Sequence, residues 1–178
     1  DIQAVILKGV STDFDWSFFK ENLVSGDVFK VTDTARSDQI IISEYIASLL
    51  KLETGDKMIM YFAQQPPRMR KFTISGIYDT SFEEFDKLFA LVDLKHIQKL
   101  NGWDQNQVSG FEIQLSDFNK LEEVHNKLLN VIGFSFDHDG SRLKIVPIKE
   151  KYPQIFDWLE LQNINVYVIL ILMVLVAG

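Results

Sequence analysis

Hydrophobic residues divide this chain into short alternating segments and one long apolar run at its end. Strands are predicted where β-branched and aromatic residues are dense: 2–10, 39–42, 57–62, 71–78 and 88–92. Ser43 and Asp93 directly follow predicted strands, and both are residue types that begin helices, here running to Leu50 and Leu100. This order predicts an α+β fold, with short helices between strands of mixed or mostly antiparallel sheets.

The following part of the sequence predicts a further strand, a helix and a hairpin. Residues 109–115 predict a half-buried strand, because every second position from Phe111 to Leu115 is apolar. Residues 118–132 carry an apolar stripe at helical spacing. Two short apolar segments on either side of Asp137-His138-Asp139-Gly140 predict a β-hairpin with these four residues in its turn.

The final run has the length and polarity of a transmembrane helix. No charged residue follows Glu160, so the 18 positions 161–178 are uncharged. At 1.5 Å per residue they span about 27 Å, close to the ~30 Å hydrocarbon core of a bilayer. Pro153 suits the first turn of this helix. Because the run stops at the last residue and residue 2 lies in a strand-like segment, we expect a fragment truncated at both ends.

Composition excludes several classes of function. The net charge of −7 argues against non-specific binding of nucleic acid, which needs clustered lysine and arginine, and against a face lying flat on anionic lipid. The absence of cysteine excludes a disulfide framework, thiol catalysis and zinc–thiolate sites. No glycine-rich phosphate loop occurs, so we do not expect ATP to bind through a P-loop of this chain.

Few residues are arranged for chemistry. Asp137-His138-Asp139 could supply metal ligands, but adjacent turn residues point apart, and a solvated turn is the preferred interpretation. His96 and His125 lie on predicted helices among polar neighbours, a pattern that does not indicate catalysis. Glu83-Glu84 and Asp86 could form an acid pair, but the neighbouring phenylalanines of 82–86 predict a loop held by its aromatics, with the carboxylates in water. We therefore expect no enzymatic activity, no metal and no cofactor.

The connection after strand 57–62 has the composition of a docking tip. It combines two amides, two prolines, a methionine and two arginines within an acidic chain. Prolines lower the ordering cost of binding, and arginine and methionine make adaptable contacts. An ordinary hairpin loop is the alternative. The residues predicted for this docking tip are Gln64, Gln65, Pro66, Pro67, Arg68, Met69 and Arg70.

The apolar run carries two further sets of candidate residues. Aromatic residues near its start predict a belt at the membrane interface, with a ligand cage as the alternative. This belt would consist of Tyr152, Phe156, Trp158 and Tyr167. Residues within the run could line a path for lipid, for which plain contact with the bilayer is the alternative. The candidate lipid path consists of Ile169, Leu172, Met173 and Val176.

Several blocks of sequence occur in the same order as in a known protein family. Residues 40–57 read as a strand, a helix, a leucine and a Gly-Asp turn, and 72–78 follow as a second block. The order continues through 78–100 and 108–113. Finally, 155–162 (Ile-Phe-Asp-Trp-Leu-Glu-Leu-Gln) lead into the apolar run. The whole resembles extracytoplasmic domains of ABC-transporter permeases of the MacB/FtsX/LolC type, in particular the lipoprotein-releasing LolC/LolE members.

The resemblance implies two subdomains, one inserted in the other. Residues 1–37 and 109–150 would form the two parts of a core subdomain that residues N-terminal to this sequence complete. Residues 38–108 would form the inserted β-rich subdomain. Residues 151–178 would be the juxtamembrane segment and the start of a transmembrane helix.

The resemblance also implies partners and a location. The permease would pair with a second permease subunit, identical or different, and with a cytoplasmic ABC ATPase that hydrolyses ATP. It would lie in the bacterial inner membrane with this domain in the periplasm, extract lipoprotein cargo and pass it to a periplasmic carrier. In the family a longer hairpin captures the carrier, and by position it corresponds to 64–70. The alternatives are an FtsX/MacB-type mechanical transmitter or efflux permease, and a single-span binding or sensor domain.

Overall fold

A mixed β-sheet organises the first part of the chain in the computed structural model, which describes residues 2–63, 65–136, 140 and 142–177. The chain forms two units, Asp1–Phe111 and Glu112–Gly178. The six strands of the sheet are β1 Ile6–Val10, β2 Leu23–Gly26, β3 Gln39–Ser43, β4 Lys57–Phe62, β5 Arg68–Tyr78 and β6 Phe89–Asp93. The helices that connect them are α1 Ser17–Glu21, α2 Glu44–Leu50, α3 Glu83–Asp86 and α4 Leu94–Asn101. The predicted α+β class is therefore confirmed.

The sheet has the strand order β1-β6-β3-β5-β2, and β4 pairs with β5. β1 runs parallel to β6 and β3 runs parallel to β5, whereas the other pairs are antiparallel. β5 is 11 residues long. Its second half pairs with β2 and β3, and its first half pairs with β4. The β4–β5 hairpin thus continues from a strand at the centre of the sheet.

Two helices begin where the sequence predicts them, because a side chain accepts a bond from the first turn. The Ser43 hydroxyl accepts from the backbone N–H of Ile46 at 3.2 Å, and α2 follows. The Asp93 carboxylate accepts from the N–H of Lys95 at 2.9 Å, and α4 follows. Gly102 ends α4 at φ 70°, a left-handed conformation that glycine adopts without steric cost. These caps fix the helices relative to the ends of β3 and β6.

The sheet is buried on both faces, as the run of isoleucines in β3 suggests. Ile40 and Ile42 pack in a cluster with Phe72 and residues of α2, and Ile97 of α4 packs against it. Ile41 points to the opposite face and packs with Phe19 and other aromatic residues. Successive residues of a strand face opposite sides of the sheet, so residues 40–42 contribute to the hydrophobic clusters on both faces. The fully enclosed centre holds the β4–β5 hairpin and α4 in place.

The second unit consists mainly of helices. A 3-10 turn, Phe118–Lys120, leads into α5, Leu121–Ile132, and the Asp117 carboxylate accepts from the N–H of Asn119 at 3.0 Å at its start. Two further helices follow, α6 Ile148–Lys151 and α7 Pro153–Ala177. The helix predicted for 118–132 is thus confirmed, and α7 begins at the proline that the sequence indicates.

One prediction for this region is wrong, and another is confirmed in part. Residues 109–115 do not form a strand: Phe111 is 88% exposed and Ile113 is 59% exposed. For the predicted hairpin, Phe136 and Arg142 form an antiparallel β-bridge on either side of the turn, and Asp137-His138-Asp139 lies outside the described residues. Alternation makes a strand possible, but a neighbouring strand must satisfy its backbone groups. The subdomain boundaries expected near 37, 108 and 150 stay predictions.

Candidate functional site

The β4–β5 hairpin presents an exposed apolar face. Met58 and Met60 of β4 face the core, so the intervening Ile59 and the following Tyr61 face solvent. Tyr61 is 75% exposed and lies directly opposite Met69 of β5, which is 59% exposed. Cross-strand neighbours are close enough to form one surface. We call Ile59, Tyr61 and Met69 the hairpin face.

Positive charge surrounds the hairpin face. Residues 57–78, which lie between Asp56 and Asp79, include four cationic residues and no acidic one, although the chain as a whole carries a net charge of −7. Lys71 lies opposite Ile59, and Lys57 begins β4 two residues before Ile59; both lysines are exposed. Apolar side chains with a cationic rim are a common composition for protein recognition surfaces.

Arg68, a residue of the predicted docking tip, has a structural contact. Its Nη1 donates to the carbonyl oxygens of Leu100 at 3.0 Å and Lys99 at 3.2 Å. These carbonyls belong to the last turn of α4, where the helix dipole favours a cation. Arg68 is half-buried and belongs to β5. It therefore ties the hairpin to α4 and is not presented as an open docking group.

The other residues of the predicted tip divide between loop and strand. Gln65, Pro66 and Pro67 are exposed in the connection, where the Gln65–Pro66 peptide bond is cis. Met69 and Arg70 belong to β5, and the Nη1 of Arg70 donates to the Met69 carbonyl at 3.0 Å. Gln64 lies outside the described residues. Ile59 and Tyr61 were not among the predicted residues, although the period-2 pattern of 57–62 places them on the face opposite the two methionines.

The long helix α7 has the properties of a membrane span. It contains 25 residues, which corresponds to about 37 Å at 1.5 Å per residue. Within the part of the chain that the structure describes, residues Pro153–Val176 form one helix long and apolar enough to cross a bilayer, by length and composition. The predicted apolar helix after a folded domain is therefore present.

The structure separates the predicted aromatic belt into packed and exposed residues. The ring of Phe156 stacks on Phe118, with centroids 5.8 Å apart and planes at 3°. Tyr152 is half-buried and ends α6. Trp158 and Tyr167 are exposed along α7. Only the last two therefore present open rings of the kind that favour a membrane interface.

The candidate lipid path lies on one side of α7. Ile169, Leu172, Met173 and Val176 follow the spacing i, i+3, i+4 and i+7, which places side chains along one helical face. They line a shallow apolar depression and are all exposed. The geometry is compatible with contact to an acyl chain and equally with contact to bilayer lipid.

Two buried titratable side chains, Asp86 and His96, are held by contacts within the fold. Asp86 is buried, in contrast to the predicted solvated carboxylates, and accepts from the backbone N–H of Thr80 at 3.1 Å and its hydroxyl at 2.8 Å. Burial raises the pKa of Asp86. His96 is also buried; its Nε2 lies 2.9 Å from the carbonyl oxygen of Ser37 and burial lowers its pKa.

Metal ligands are not gathered anywhere in the described ranges 2–63, 65–136, 140 and 142–177: no group of three or more histidines or carboxylates is placed to hold an ion. His138, in the turn for which the sequence left metal binding as the alternative to a solvated turn, lies outside these ranges. His125 is half-buried on α5. The surfaces that remain as candidates for function are the hairpin and α7.

Comparison with known proteins adds a family relationship to this geometry. No protein-family model matches the chain. Two curated relatives, each named lipoprotein-releasing system transmembrane protein LolC, come from Xylella fastidiosa strains Temecula1 / ATCC 700964 and 9a5c. Each is 28% identical over 96 residues, and the match covers 50% of this chain and 23% of the relative. The chain thus matches less than a quarter of the length of these relatives.

Proposed function

Because this chain belongs to the LolC-like family of ABC-transporter permeases, we propose that it is part of a subunit that releases lipoproteins from the bacterial inner membrane. The observation that carries the proposal is the similarity to two lipoprotein-releasing LolC proteins in a chain that ends in an apolar helix. Residues 1–152 would stand in the periplasm, and α7 would enter the membrane.

The proposal assigns energy supply and partners to other chains. ATP hydrolysis would take place on a cytoplasmic ABC ATPase, and a second permease subunit would complete the membrane part. Lipid anchors would leave the bilayer beside the helix face formed by Ile169, Leu172, Met173 and Val176. Support for this face is its continuous apolar surface on a helix that meets the criteria for a membrane span.

We further propose that the β4–β5 hairpin docks the periplasmic carrier that receives the lipoprotein. The exposed connection at Gln65, Pro66 and Pro67 would meet the carrier first, and the hairpin face would provide apolar contact. The exposed Lys57 and Lys71 beside the hairpin face support docking of a protein with a negatively charged surface. Tyrosine and methionine are enriched in such contacts, because tyrosine offers a large contact area for little lost side-chain freedom and methionine adapts its shape to the partner.

Two measurements test the proposal in the full-length protein in its native membrane. First, depletion of the protein should leave lipoproteins in the inner membrane, which fractionation and quantitative mass spectrometry would detect. Second, a photocrosslinker at Pro67 should capture a soluble lipoprotein carrier, and the same crosslinker at exposed Lys30 should not. Capture of a cell-wall hydrolase or an outer-membrane duct protein, with lipoproteins correctly sorted, would contradict lipoprotein release.

A further inference from the structure

An open cleft of about 660 Å³ lies between α2 and the segment 79–86. On the α2 side it is lined by Tyr45 and Leu49, which are 42% and 39% exposed. Residues at i and i+4 of a helix share one face, so these two side chains form one continuous apolar surface. The opposite face of α2 is buried through Ile46 and Ala47. The helix therefore has one face in the core and one face available for contact.

Carboxylates line the rest of this cleft. Glu44, Asp79 and Glu83 are exposed, whereas Asp86 is buried. Burial raises the pKa of Asp86, and the neighbouring carboxyl of Asp79 raises it further. A cation bound beside these groups would offset their mutual repulsion. We use the name acidic cleft for the surface formed by Glu44, Tyr45, Leu49, Asp79, Glu83 and Asp86.

A lysine of the same unit shows which kind of side chain this surface attracts. The ammonium of Lys87 lies 5.4 Å from the centre of the Tyr45 ring and pairs with the carboxylate of Glu83. The face of an aromatic ring attracts a cation, and a carboxylate pairs with it. Among the described residues, no lysine or arginine forms an ion pair with Glu44 or Asp79. Part of the acidic cleft thus holds an ammonium, and its remaining carboxylates are open to another cation.

Hydrogen bonds fix the wall of the acidic cleft. The Ser43 hydroxyl donates to the carbonyl oxygen of Asp86, which ties the start of α2 to the end of α3. The carboxylate of Asp86 accepts from the Thr80 hydroxyl at 2.8 Å, and the carboxylate of Asp79 accepts from the N–H of Ser81 at 2.8 Å. The shape of the cleft therefore exists before a partner arrives, which lowers the ordering cost of binding.

We infer that the acidic cleft binds a basic segment of another protein, with lysine or arginine beside Glu44 and Asp79 and an apolar side chain on Tyr45. Charge complementarity favours this occupant. Among the described residues, no three carboxylates or histidines are placed to hold a metal ion, which needs converging ligands. Side chains along an extended segment can instead reach separated carboxylates. The inference does not depend on lipoprotein release.

Binding of a defined peptide to the full-length protein in neutral detergent tests the charge of the acidic cleft. The probe is a short fluorescein-labelled peptide in which lysines alternate with serines around one leucine, and fluorescence anisotropy measures its binding. Glu44→Gln combined with Asp79→Asn should weaken binding at least about tenfold. Glu21→Gln combined with Glu53→Gln removes the same charge at exposed positions outside the cleft and should change binding less than about twofold. Equal losses in the two double variants, or no binding to the parent protein, would overturn the inference.

Lys87→Gln gives a result that a folding defect cannot imitate. The substitution removes the ammonium from Tyr45 and Glu83, so the lysine peptide should bind at least about threefold more tightly. Lys20→Gln makes the same charge change at an exposed position of α1 and should leave binding within about twofold of the parent protein. Unchanged or weaker binding to Lys87→Gln would overturn the inference.

A photocrosslinker at Ser48, an exposed residue that lines the same cleft, tests occupancy in native membranes. The captured segment should belong to another protein and contain lysine or arginine, and its capture should fall when Glu44→Gln and Asp79→Asn are combined. Capture of a segment of this polypeptide, capture of a segment without a cation, or no capture would overturn the inference. Carrier capture at Pro67, measured in the same membranes, tests the proposed function separately.

Discussion

The guanidinium of Arg68 donates to the carbonyl oxygen of Leu100 at 3.0 Å, and this bond joins the first residue of β5 to the end of α4. A second bond, to Lys99 at 3.2 Å, uses the same Nη1. The residues are 32 positions apart in sequence, so the contact is a product of the fold. An effect of Arg68 substitution on function therefore includes an effect on the position of the hairpin.

Arg68→Glu should lower the stability of the protein. The substitution removes a charged donor from the C-terminal end of α4 and places a carboxylate beside carbonyl oxygens. Hydrogen bonds of a charged group contribute about 1.5–3 kcal/mol, and partial exposure of Arg68 places the expected loss near 1–2 kcal/mol. Thermal unfolding of the purified protein in detergent measures it. Lys71→Glu makes the same charge change at an exposed site and should shift stability by less than about 0.5 kcal/mol.

Tyr61→Ser should weaken carrier docking without loosening the fold. Tyr61 is 75% exposed, so its ring is available for contact and its removal leaves the core intact. We expect about tenfold less carrier captured from Pro67, which corresponds to about 1.4 kcal/mol. Tyr45→Ser, a change at a partly exposed tyrosine of α2, is the matched control. Equal capture by both variants would show that the hairpin face is not part of the docking surface.

Acidification should destabilise the first unit through His96. Burial lowers the pKa of His96 below its usual value of 6.5, against the opposing effect of its bond to Ser37. The unfolded chain therefore binds a proton more readily than the folded one, and stability falls as the pH decreases below about 6.5. Unfolding midpoints at pH 7.5 and 5.5 measure this loss. His96→Gln should reduce the pH dependence of the unfolding midpoint. If this dependence is the same in the variant and the parent protein, titratable groups other than His96 cause it.

A charge in the middle of the apolar run should prevent stable insertion of α7. Leu170→Arg places a guanidinium where the bilayer is driest, at a cost of about 2.5–3.5 kcal/mol on insertion scales. Extraction with alkaline carbonate should release more of this variant than of the parent protein. Asp157→Arg, near the start of α7, should leave extraction unchanged, since charge is tolerated near a membrane surface. Full retention of Leu170→Arg would argue against a span at this position.

Sequence reasoning succeeded where local chemistry decides the structure. Ser43 and Asp93 begin helices because their own side chains bond to the next turn. Pro153 begins α7 for an equally local reason. It failed for 109–115 and for the missed strand β2, since a strand exists only if another segment pairs with it. The alternating pattern is the same whether that segment is present or absent.

The candidate site shows the same division. The composition of 64–70 drew attention to the hairpin, but no sequence pattern reveals that α4 ends beside Arg68. The residues that face solvent most openly, Tyr61 and Met69, belong to strands and lie opposite each other. Their exposure follows from β4 lying beyond the enclosed part of the sheet, which is a property of topology. Predicting the site therefore needs the strand order in addition to the alternation.

The continuity of β5 has a mechanical consequence. A strand of 11 residues is about 36 Å long, and here one covalent backbone runs from the hairpin to Tyr78 in the enclosed core. A pull on the hairpin along this axis loads the hydrogen bonds to β2 and β3 together, in shear, instead of opening them one after another. A force on the hairpin is therefore transmitted to the centre of the sheet through a single strand.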